Sequence, residues 1–206
     1  MDQVSDTGKF IVFEGLDGCG KSTQINLLVQ YFSDKGWPLI LTAEPYEEFP
    51  SGREIRRVLI GEKHLAPDEL QLLFVENRKE HVNQIIQPAI KLGKTIISDR
   101  YFLSTIAHGS LGCDIEWLKD LNAEFPLPAV TFIIDVSAEE CVRRIKSRGT
   151  TTQLFEKQGK LTRVRRVYKM LADSYPNVEL IAGERSIEEV FEDIQKIAER
   201  VMCHGA

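Results

Sequence analysis

The chain has 206 residues, of which 43% are hydrophobic and 28% charged, and its formal net charge is −5. This size and composition are typical of one globular domain with a sizeable core, so we predict a single domain over residues 1–206. The acidic balance disfavours a sequence-independent nucleic-acid binder, because such a protein needs a basic surface. We therefore expect no nucleic-acid partner.

The cysteines are scattered and form neither a Cys-x-x-Cys pair nor a metal-ligand spacing: Cys19, Cys113, Cys141 and Cys203. This pattern indicates free thiols in a reducing compartment. The first residues are acidic and lack the apolar segment of a signal peptide, and no apolar run approaches the roughly 20 residues of a membrane span. We expect a cytoplasmic protein without a membrane partner.

A short β-rich run at residues 10–14 precedes a segment with apolar residues at helical spacing, residues 23–32. Between them, residues 15–22 read GLDGCGKS and match the phosphate-binding pattern G-x-x-x-x-G-K-[ST]. Such a loop curls its backbone N–H groups around an anion at the positive end of the helix dipole. A glycine-rich turn that matches by chance is the alternative, and the position between strand and helix argues against it. The motif therefore predicts nucleoside triphosphate binding without specifying the reaction.

In this motif Lys21 reaches the β- and γ-phosphates, and Ser22 ligates Mg²⁺. Asp17 is unusual inside a loop that holds triphosphate, so we expect it to contact an acceptor hydroxyl or an arginine; a solvated turn residue is the alternative. The residues predicted to bind the nucleotide are Gly15, Asp17, Gly18, Cys19, Gly20, Lys21, Ser22 and Thr23.

The next predicted elements are a second strand at residues 38–42, a turn-rich loop and a short helix near 53–60. A longer helix is predicted from about 66 to 92, because Ala66-Pro67-Asp68-Glu69 places a proline and two acids in a first helical turn. Phe74, Arg78 and His81 follow at i, i+4 and i+7. These three side chains therefore share one face of that helix.

The third predicted strand, residues 95–98, brings Asp99 and Arg100 to its carboxyl end, the edge where ligands of open α/β sheets collect. Asp99 is a candidate for holding the metal through water or for ordering Lys21, with a helix N-cap as the alternative. Arg100 carries a guanidinium fork suited to bridging two phosphates, with a surface ion pair as the alternative.

The rest of the chain continues the alternation of strands and helices. The predicted elements are a helix through residue 106, a helix near 114–122, a strand at 129–135, a helix from a capping box at 137–140 to about 149, a basic helix at 161–172, a strand at 178–182 and a last helix from a second capping box at 186–189. Residues 150–160 are polar and weakly periodic, which predicts a mobile segment. We predict an α/β fold with a five-stranded parallel sheet and helices on both faces.

Together these residues resemble the thymidylate kinase family over nearly the whole chain. The resemblance rests on residues 13–24 (FEGLDGCGKSTQ), 44–45 (EP), 72–81 (LLFVENRKEH), 99–107 (DRYFLSTIA) and 132–136 (FIIDV). The phosphate loop alone occurs in many families, whereas its combination with the Phe-x-x-x-Arg and Asp-Arg-Tyr-x-x-Ser segments is far more specific. The resemblance implies a P-loop nucleoside monophosphate kinase fold, phosphorylation of dTMP to dTDP by ATP and Mg²⁺ for dTTP synthesis, and a homodimer.

The resemblance also implies roles for residues around the acceptor. Phe74 would stack on thymine and Arg78 would bond its carbonyl oxygen, which suits an aromatic face one helical turn from a donor fork; a core position is the alternative for Phe74. Arg100 would grip the acceptor phosphate, and Asp17 would approach the acceptor sugar or the catalytic arginine. The remaining predicted acceptor residues are Glu44, Ser104, Thr105 and His108, and the predicted metal residues are Ser22 and Asp99.

Some members of the family carry a basic catalytic residue inside the phosphate loop, and others supply arginines from a lid. Because this loop has no arginine, we expect delivery from a lid at about residues 149–160, by Arg143, Arg144 or Arg148. Arg148 is nearest to that segment and is our catalytic candidate. A solvated helix face is the alternative for each of the three.

Two positions depart from the family's usual wording and leave the acceptor open. Ala43 stands where an arginine is frequent, and His108 stands where a tyrosine is associated with exclusion of a ribose 2′-hydroxyl. A kinase for another nucleoside monophosphate or a nucleoside is therefore one alternative. A non-catalytic nucleotide-binding regulator is the other, and it is disfavoured because Lys21 and Arg100 are both present.

Overall fold

The computed structural model describes residues 8–147 and 154–203. The strands are β1 Phe10–Gly15, β2 Leu39–Ala43, β3 Thr95–Asp99, β4 Val130–Asp135 and β5 Val178–Ala182. The helices are α1 Lys21–Asp34, α2 Pro50–Leu59, α3 Pro67–His81, α4 Gln87–Lys91, α5 Phe102–Gly109, α6 Ile115–Asn122, α7 Ala138–Ser147, α8 Leu154–Ser174 and α9 Ile187–Cys203. The strands form one parallel sheet in the order β2-β3-β1-β4-β5, flanked by helices, which confirms the predicted fold class.

The central strands owe their position to continuous apolar sequence. All six residues of β1 are buried, as are the first five of β4, whereas the edge strands β2 and β5 are partly exposed. Strands of a parallel sheet that are covered on both faces need apolar side chains in both directions, which this pattern supplies. In the register of the sheet, Phe13 pairs with Asp99, and Gly15 pairs with Ile134. The residues that follow β1 and β3 therefore emerge side by side.

The predicted helix from 66 to 92 is present, with a π-helical turn at Val82–Ile86 between α3 and α4. Pro88 explains this turn, because it lacks an N–H and its ring would clash with the carbonyl of Gln84 in a regular α-helix. A wider turn ahead of the proline relieves that clash. Glu69 caps the start of α3 by accepting a hydrogen bond from the backbone N–H of Ala66 at 2.8 Å.

The start of α8 corrects the sequence analysis. The helix begins at Leu154, seven residues before the predicted start at residue 161, so that predicted boundary was wrong. Leu161, Val164, Tyr168 and Leu171 are buried along one face of α8. Residues 156–160, ahead of them, read EKQGK and carry no amphipathic signal. Arg148 and residues 149–153 of the predicted lid lie outside the described residues.

The two capping boxes differ in outcome. Ser186 and Glu189 bond reciprocally, N–H to carboxylate at 3.0 Å and N–H to hydroxyl at 3.2 Å, as predicted. At α7 only half of the box forms. Ser137 Oγ accepts from the N–H of Glu140 at 3.3 Å, but the backbone N–H of Ser137 donates to Glu184 rather than to Glu140. The Glu140 carboxylate is occupied elsewhere, by Arg143 and Arg144.

Candidate active site

The phosphate loop joins the buried strand β1 to α1. Gly20 stands at the N-cap of α1 with φ +106°, a left-handed conformation that a residue with a side chain rarely adopts. Lys21 Nζ, which is buried, donates to the carbonyl oxygens of Gly15 and Leu16, both at 3.3 Å. The ammonium group is thereby held over the loop at the positive end of α1.

A cavity of about 250 Å³ opens in front of this loop at the carboxyl edge of the sheet. Its lining is Asp17, Gly18, Gly20, Lys21, Ser22, Thr23, Ala43, Glu44, Asp99 and Arg100. The lining combines predicted donor-binding, metal and acceptor residues. The fold therefore brings together residues that lie as far apart in the chain as the phosphate loop and the end of β3.

Asp99 is the candidate metal residue at this edge. Its Oδ1 atom is buried and has no hydrogen-bond partner among the described residues, although Asp99 lines the same cavity as Ser22. Asp99 does not cap the next helix, because the N-cap residue of α5 is Tyr101. A buried carboxylate oxygen without a donor fits a hydrated divalent cation, and Mg²⁺ in such sites is held by one or two protein oxygens plus water and phosphate.

Within the described part of the chain, no group of three or more His, Cys, Asp or Glu side chains forms a metal cluster. The oxygen atoms of Ser22 and Asp99, which line one cavity, are donors of the type that Mg²⁺ takes beside nucleotide phosphates.

Arg100 lies at the centre of the site, with φ +77°, an uncommon conformation for a residue other than glycine. Its Nη2 donates to Asp17 Oδ1 at 2.6 Å. Its Nη1 lies within 2.9–3.4 Å of Gly15 O, Ser104 Oγ, His108 Nε2 and Tyr168 OH. A simple surface ion pair would not have these contacts. Although burial opposes ionisation of the guanidinium, the surrounding oxygen groups raise the pKa of Arg100 well above its usual value.

Asp17 projects from the phosphate loop, and 59% of its side chain is exposed. Partial desolvation raises the pKa of its carboxyl group, but the positive charges of Arg100 and Lys21 outweigh this effect, so the pKa of Asp17 is lowered. Asp17 is therefore ionised at neutral pH and paired with Arg100. Because the carboxylate is exposed, a competing anion can replace it at the arginine.

His108 lies on the other side of Arg100, with its Nε2 atom 3.4 Å from Nη1. Burial, followed by the positive charge of Arg100, lowers the pKa of His108 to about 3. The imidazole is thus neutral at physiological pH, and its Nε2 faces the guanidinium as an acceptor. The ring also meets Tyr168 edge-on, with centroids 6.1 Å apart.

Arg78 is 1% exposed and is not among the residues that line the cavity. Its Nε donates to Glu44 Oε2 at 2.8 Å, its Nη2 to Thr105 Oγ1 at 2.8 Å and its Nη1 to Asn122 Oδ1 at 2.5 Å. These bonds use three of the five guanidinium N–H groups. The other carboxylate oxygen of Glu44 lies 3.2 Å from Nδ1 of His81, so Glu44 ties Arg78 to the next turn of α3.

Phe74 is half-buried and does not belong to the buried core of the described residues. It is therefore not a core residue, which was the alternative to a role in binding the base. It lies one turn before Arg78 on α3, as the spacing predicted. Ser104 and Thr105 both lie on α5, where Ser104 contacts Arg100 and Thr105 contacts Arg78. Helix α5 therefore links the two predicted acceptor-binding arginines.

A second cavity, of about 310 Å³, lies on the other side of the phosphate loop. Among its lining residues are Cys19, Thr23, Arg143, Arg144 and Arg185. The guanidinium of Arg144 donates to Cys19 O at 3.1 Å and Gly183 O at 3.2 Å, and it pairs with Glu140 at 2.6 Å. Arg144 thus fastens the phosphate loop to α7, whereas 75% of the Arg143 side chain is exposed.

The sequence analysis assigned no role to Glu14, Tyr168 or Asn122. Glu14 is fully buried behind the phosphate loop. The hydroxyl group of Tyr168, which lies on α8 and 154 residues later in the chain, donates to Oε2 of Glu14 at 3.0 Å. Asn122 is buried and receives Arg78 from α6. No local pattern marks these contacts, because each depends on how distant helices pack; the only sequence signal is an acidic residue at the end of an otherwise apolar strand.

The fold and the cavity define a class of protein, the P-loop nucleotide kinases: a phosphate loop, an acidic strand end and a clamped arginine surround one space at the carboxyl edge of a parallel sheet. A family profile described as thymidylate kinase matches residues 13–194. The chain belongs to the thymidylate kinase family.

Curated relatives agree with this assignment. A protein named probable thymidylate kinase from Pyrococcus horikoshii is 41% identical over 194 residues, which cover 91% of this chain and 94% of the relative. A thymidylate kinase from Desulfotalea psychrophila is 40% identical over 192 residues, covering 92% of this chain and 94% of the relative. A probable thymidylate kinase from Sulfurisphaera tokodaii is 34% identical over 196 residues, with coverages of 95% and 98%.

Within residues 8–147 and 154–203, no helix has the length and apolar character needed to cross a bilayer.

Proposed function

We infer that this protein phosphorylates dTMP to dTDP with ATP as the phosphoryl donor, a step of dTTP synthesis. The observation that carries this function is the single cavity in which Lys21, Asp99 and Arg100 meet, in a chain of the thymidylate kinase family. Phosphoryl transfer needs donor and acceptor held in line and the developing charge neutralised, with little covalent help from the protein. A lysine over the loop and an arginine opposite it supply that neutralisation.

On the donor side, the N–H groups of residues 15–23 cradle the ATP phosphates, and the Lys21 ammonium exchanges its two loop carbonyls for phosphate oxygens. Ser22 and Asp99 are the residues that would hold Mg²⁺. The ion, when bound, neutralises charge that develops between the β- and γ-phosphates. The cavity beside Thr23 and Arg144 shares Gly20 and Thr23 with the active-site cavity, and we propose that it takes the donor's adenosine.

On the acceptor side, Arg100 binds the phosphate of dTMP through the Nη2 edge that now holds Asp17. Asp17 then becomes free to approach the acceptor sugar. An acceptor phosphate is already ionised, so the reaction needs no general base. Positioning by Arg100 and Asp17, with Ser104 and His108 beside them, is therefore the main task of this half of the site.

The thymine base is proposed to lie against Phe74, with Arg78 donating to its carbonyl oxygen and Thr105 nearby. Glu44 and Asn122 hold the guanidinium of Arg78 from two sides, which fixes the direction of its remaining N–H groups. A donor fixed in this way selects a base with a carbonyl at that position, because a buried guanidinium left unpaired is costly.

Arg148 remains the proposed lid arginine that reaches the transferring phosphoryl group. Support comes from its neighbours: Arg144 is committed to the carbonyls of Cys19 and Gly183, and Arg143 pairs with Glu140 at the surface.

We also propose that the protein is a cytoplasmic homodimer. The scattered free cysteines agree with a reducing compartment. Around the connection between α2 and α3, the apolar side chains of Leu59, Ile60 and Leu72 are about half exposed, which is typical of a surface that a second subunit covers.

The proposed reaction is tested by ADP release from ATP and Mg²⁺ with dTMP, dUMP, dCMP, dGMP, UMP and thymidine as acceptors. We expect a clear preference for dTMP, because Arg78 selects the base. Activity on another acceptor would instead identify a sibling kinase, and nucleotide binding without transfer would indicate a regulator.

Lys21→Met tests the phosphate loop in the same assay. We expect kcat to fall at least about 100-fold, because a charge aimed at the transition state is lost. The matched control is Lys35→Met, an exposed lysine just past the end of the same helix. A Lys21→Met enzyme with turnover close to that of the control would refute the proposed mechanism.

A further inference from the structure

Glu14 is a fully buried carboxylate in the central strand, directly before the phosphate loop. Its Oε1 accepts from two backbone N–H groups, those of Tyr101 at 2.9 Å and Ser104 at 3.1 Å. Its Oε2 accepts from the hydroxyl of Ser104 at 2.5 Å and that of Tyr168 at 3.0 Å. Four donors from β3–α5 and α8 thus converge on one carboxylate that the proposed mechanism does not use.

The same two hydroxyl groups also face Arg100. Ser104 Oγ lies 2.9 Å and Tyr168 OH 3.4 Å from Nη1 of Arg100, and the two hydroxyl oxygens are 2.9 Å apart. Glu14, Ser104 and Tyr168 therefore form a triangle with Arg100 outside it. An ionised carboxylate only accepts hydrogen bonds, so both hydroxyl protons can be placed inside the triangle. Both oxygens then keep lone pairs for the guanidinium.

Arg100 has two edges with different partners. Nη1 faces neutral acceptors of the protein, whereas Nη2 holds the exposed carboxylate of Asp17, a residue that lines the active-site cavity together with Arg100. A guanidinium that is fixed along one edge presents the other edge in one orientation, which a phosphate needs for paired hydrogen bonds. The orientation of Arg100 therefore depends on the hydroxyl groups of Ser104 and Tyr168. The direction in which those O–H bonds point depends in turn on Glu14.

The cost of burying a charge would by itself favour an uncharged residue in place of Glu14. Desolvation raises the pKa of Glu14, although Arg100 and the hydrogen bonds of Ser104, Tyr101 and Tyr168 partly compensate. A glutamine of the same shape would avoid the cost of a buried charge. An ionised carboxylate at this position therefore lowers the stability of the fold. Its presence indicates that the position requires a group that only accepts hydrogen bonds.

We propose that Glu14 is a positioning residue for phosphoryl transfer, acting through the hydroxyls of Ser104 and Tyr168 to hold Arg100 with its Nη2 edge towards the acceptor phosphate. The inference deepens and rests on the proposed function, since it concerns the residue that binds the acceptor phosphate there. Glu14 does not touch the substrate; its effect reaches the reaction through two hydroxyl groups and one guanidinium.

Glu14→Gln is the most direct test, because it keeps the shape and reverses the polarity. If the amide nitrogen faces the hydroxyls, it donates into the triangle and pushes at least one hydroxyl proton towards Arg100. If it faces the other way, it meets the N–H donors of Tyr101 and Ser104. We expect kcat to fall about 10- to 100-fold with a raised KM for dTMP, because Arg100 is misplaced, while KM for ATP stays within about twofold.

The readouts separate positioning from a general structural role. We expect Glu14→Gln to stay folded with KM for ATP unchanged, although its Tm falls modestly, because the amide nitrogen meets buried donors in either orientation. Tyr168→Phe should reproduce part of the loss in kcat, and the double variant should lose no more than the worse single variant, since both act on one path. Tyr175→Phe, the same change one residue past the end of α8, is the control and should be silent.

Three results would overturn the inference: unchanged kcat in Glu14→Gln, additive losses in the double variant, or a loss of activity matched by a large fall in Tm and a rise in KM for ATP. A crystal structure of Glu14→Gln decides the point independently of turnover. We expect Nη1 of Arg100 to leave Ser104 and Tyr168, and an unmoved guanidinium would refute the proposal. Failure of the proposed function looks different, as a wild-type protein that transfers no phosphate to dTMP.

Discussion

Arg78 is the residue in which stability and proposed specificity are hardest to separate. Its guanidinium is buried against the ring of Tyr101, 5.3 Å from the ring centroid, and its ion pair with Glu44 is almost inaccessible to water. A buried ion pair of this kind adds little stability overall, yet removing one partner strands the other charge without solvent. A substitution of Arg78 is therefore expected to lower the stability of the fold, in addition to any effect on substrate binding.

We predict that Arg78→Met destabilises the protein by about 3–5 kcal/mol, because the Glu44 carboxylate is left buried without its cation. In a chain of this length that corresponds to a Tm lower by roughly 10 °C, measured by thermal unfolding. The control is Arg56→Met, whose pair with Glu47 spans 4.0 Å and is 56% exposed on both sides; such a pair is worth at most about 1 kcal/mol. Equal shifts in the two variants would contradict the prediction.

The residues of the site differ in how far the sequence could predict them. Lys21 and Ser22 follow from a local motif, and Asp99 and Arg100 follow from a strand end, so their meeting at one cavity was predictable. Glu14 was not, because its partners come from β3–α5 and from α8, and the contact with Tyr168 spans 154 residues. Hydrogen bonds between distant elements depend on packing, which no pattern in a single segment encodes.

At the scale of elements, α8 is fixed to the sheet by an ion pair at the end of β4. Asp135 accepts two bonds from Arg165, at 2.5 and 2.9 Å, and pairs with Lys169 at 3.2 Å. Burial raises the pKa of Asp135, but the hydrogen bonds from Arg165 and Lys169 outweigh this, so its pKa is lowered. The pair holds the helix that also carries Tyr168.

We predict that Asp135→Asn destabilises the protein by about 1–3 kcal/mol at pH 7, since a charge-assisted bidentate contact is lost. Because the folded pKa of Asp135 is depressed, this contribution is present above the ordinary aspartate pKa and is lost as the pH falls through the folded value. The stability difference between wild type and variant should therefore shrink in acid, as urea unfolding at pH 7 and pH 3 would measure.

Asp193→Asn is the matched control for this element. Asp193 pairs with Arg185 at 2.5 Å, but the two side chains are 41% and 38% exposed, so its loss should cost at most about 1 kcal/mol. An Asp135→Asn variant no less stable than this control would mean that packing alone holds α8. The start of α8 at Leu154 illustrates the limit of periodicity, since residues 156–160 read EKQGK and give no amphipathic signal.

At the scale of the whole molecule, the alternation of strands and helices predicts a parallel sheet with helices on both faces. The strand order β2-β3-β1-β4-β5 was not predicted, because several orders satisfy right-handed crossovers. The quaternary arrangement was not predictable, because exposure of an apolar residue is a property of the folded surface. Leu59, Ile60 and Leu72 become a candidate interface only when α2 and α3 are seen to pack together.

We predict that the protein sediments as a dimer and that the double variant Leu59→Glu/Leu72→Glu sediments as a monomer, because an interface cannot bury unpaired carboxylates cheaply. Leu92→Glu is the control: Leu92 is 74% exposed just past α4, far from the α2–α3 connection in sequence, and its substitution should leave the dimer intact. Analytical ultracentrifugation at several concentrations distinguishes these outcomes. A monomeric wild type would refute the proposed dimer, and a dimeric double variant would place the interface on another face.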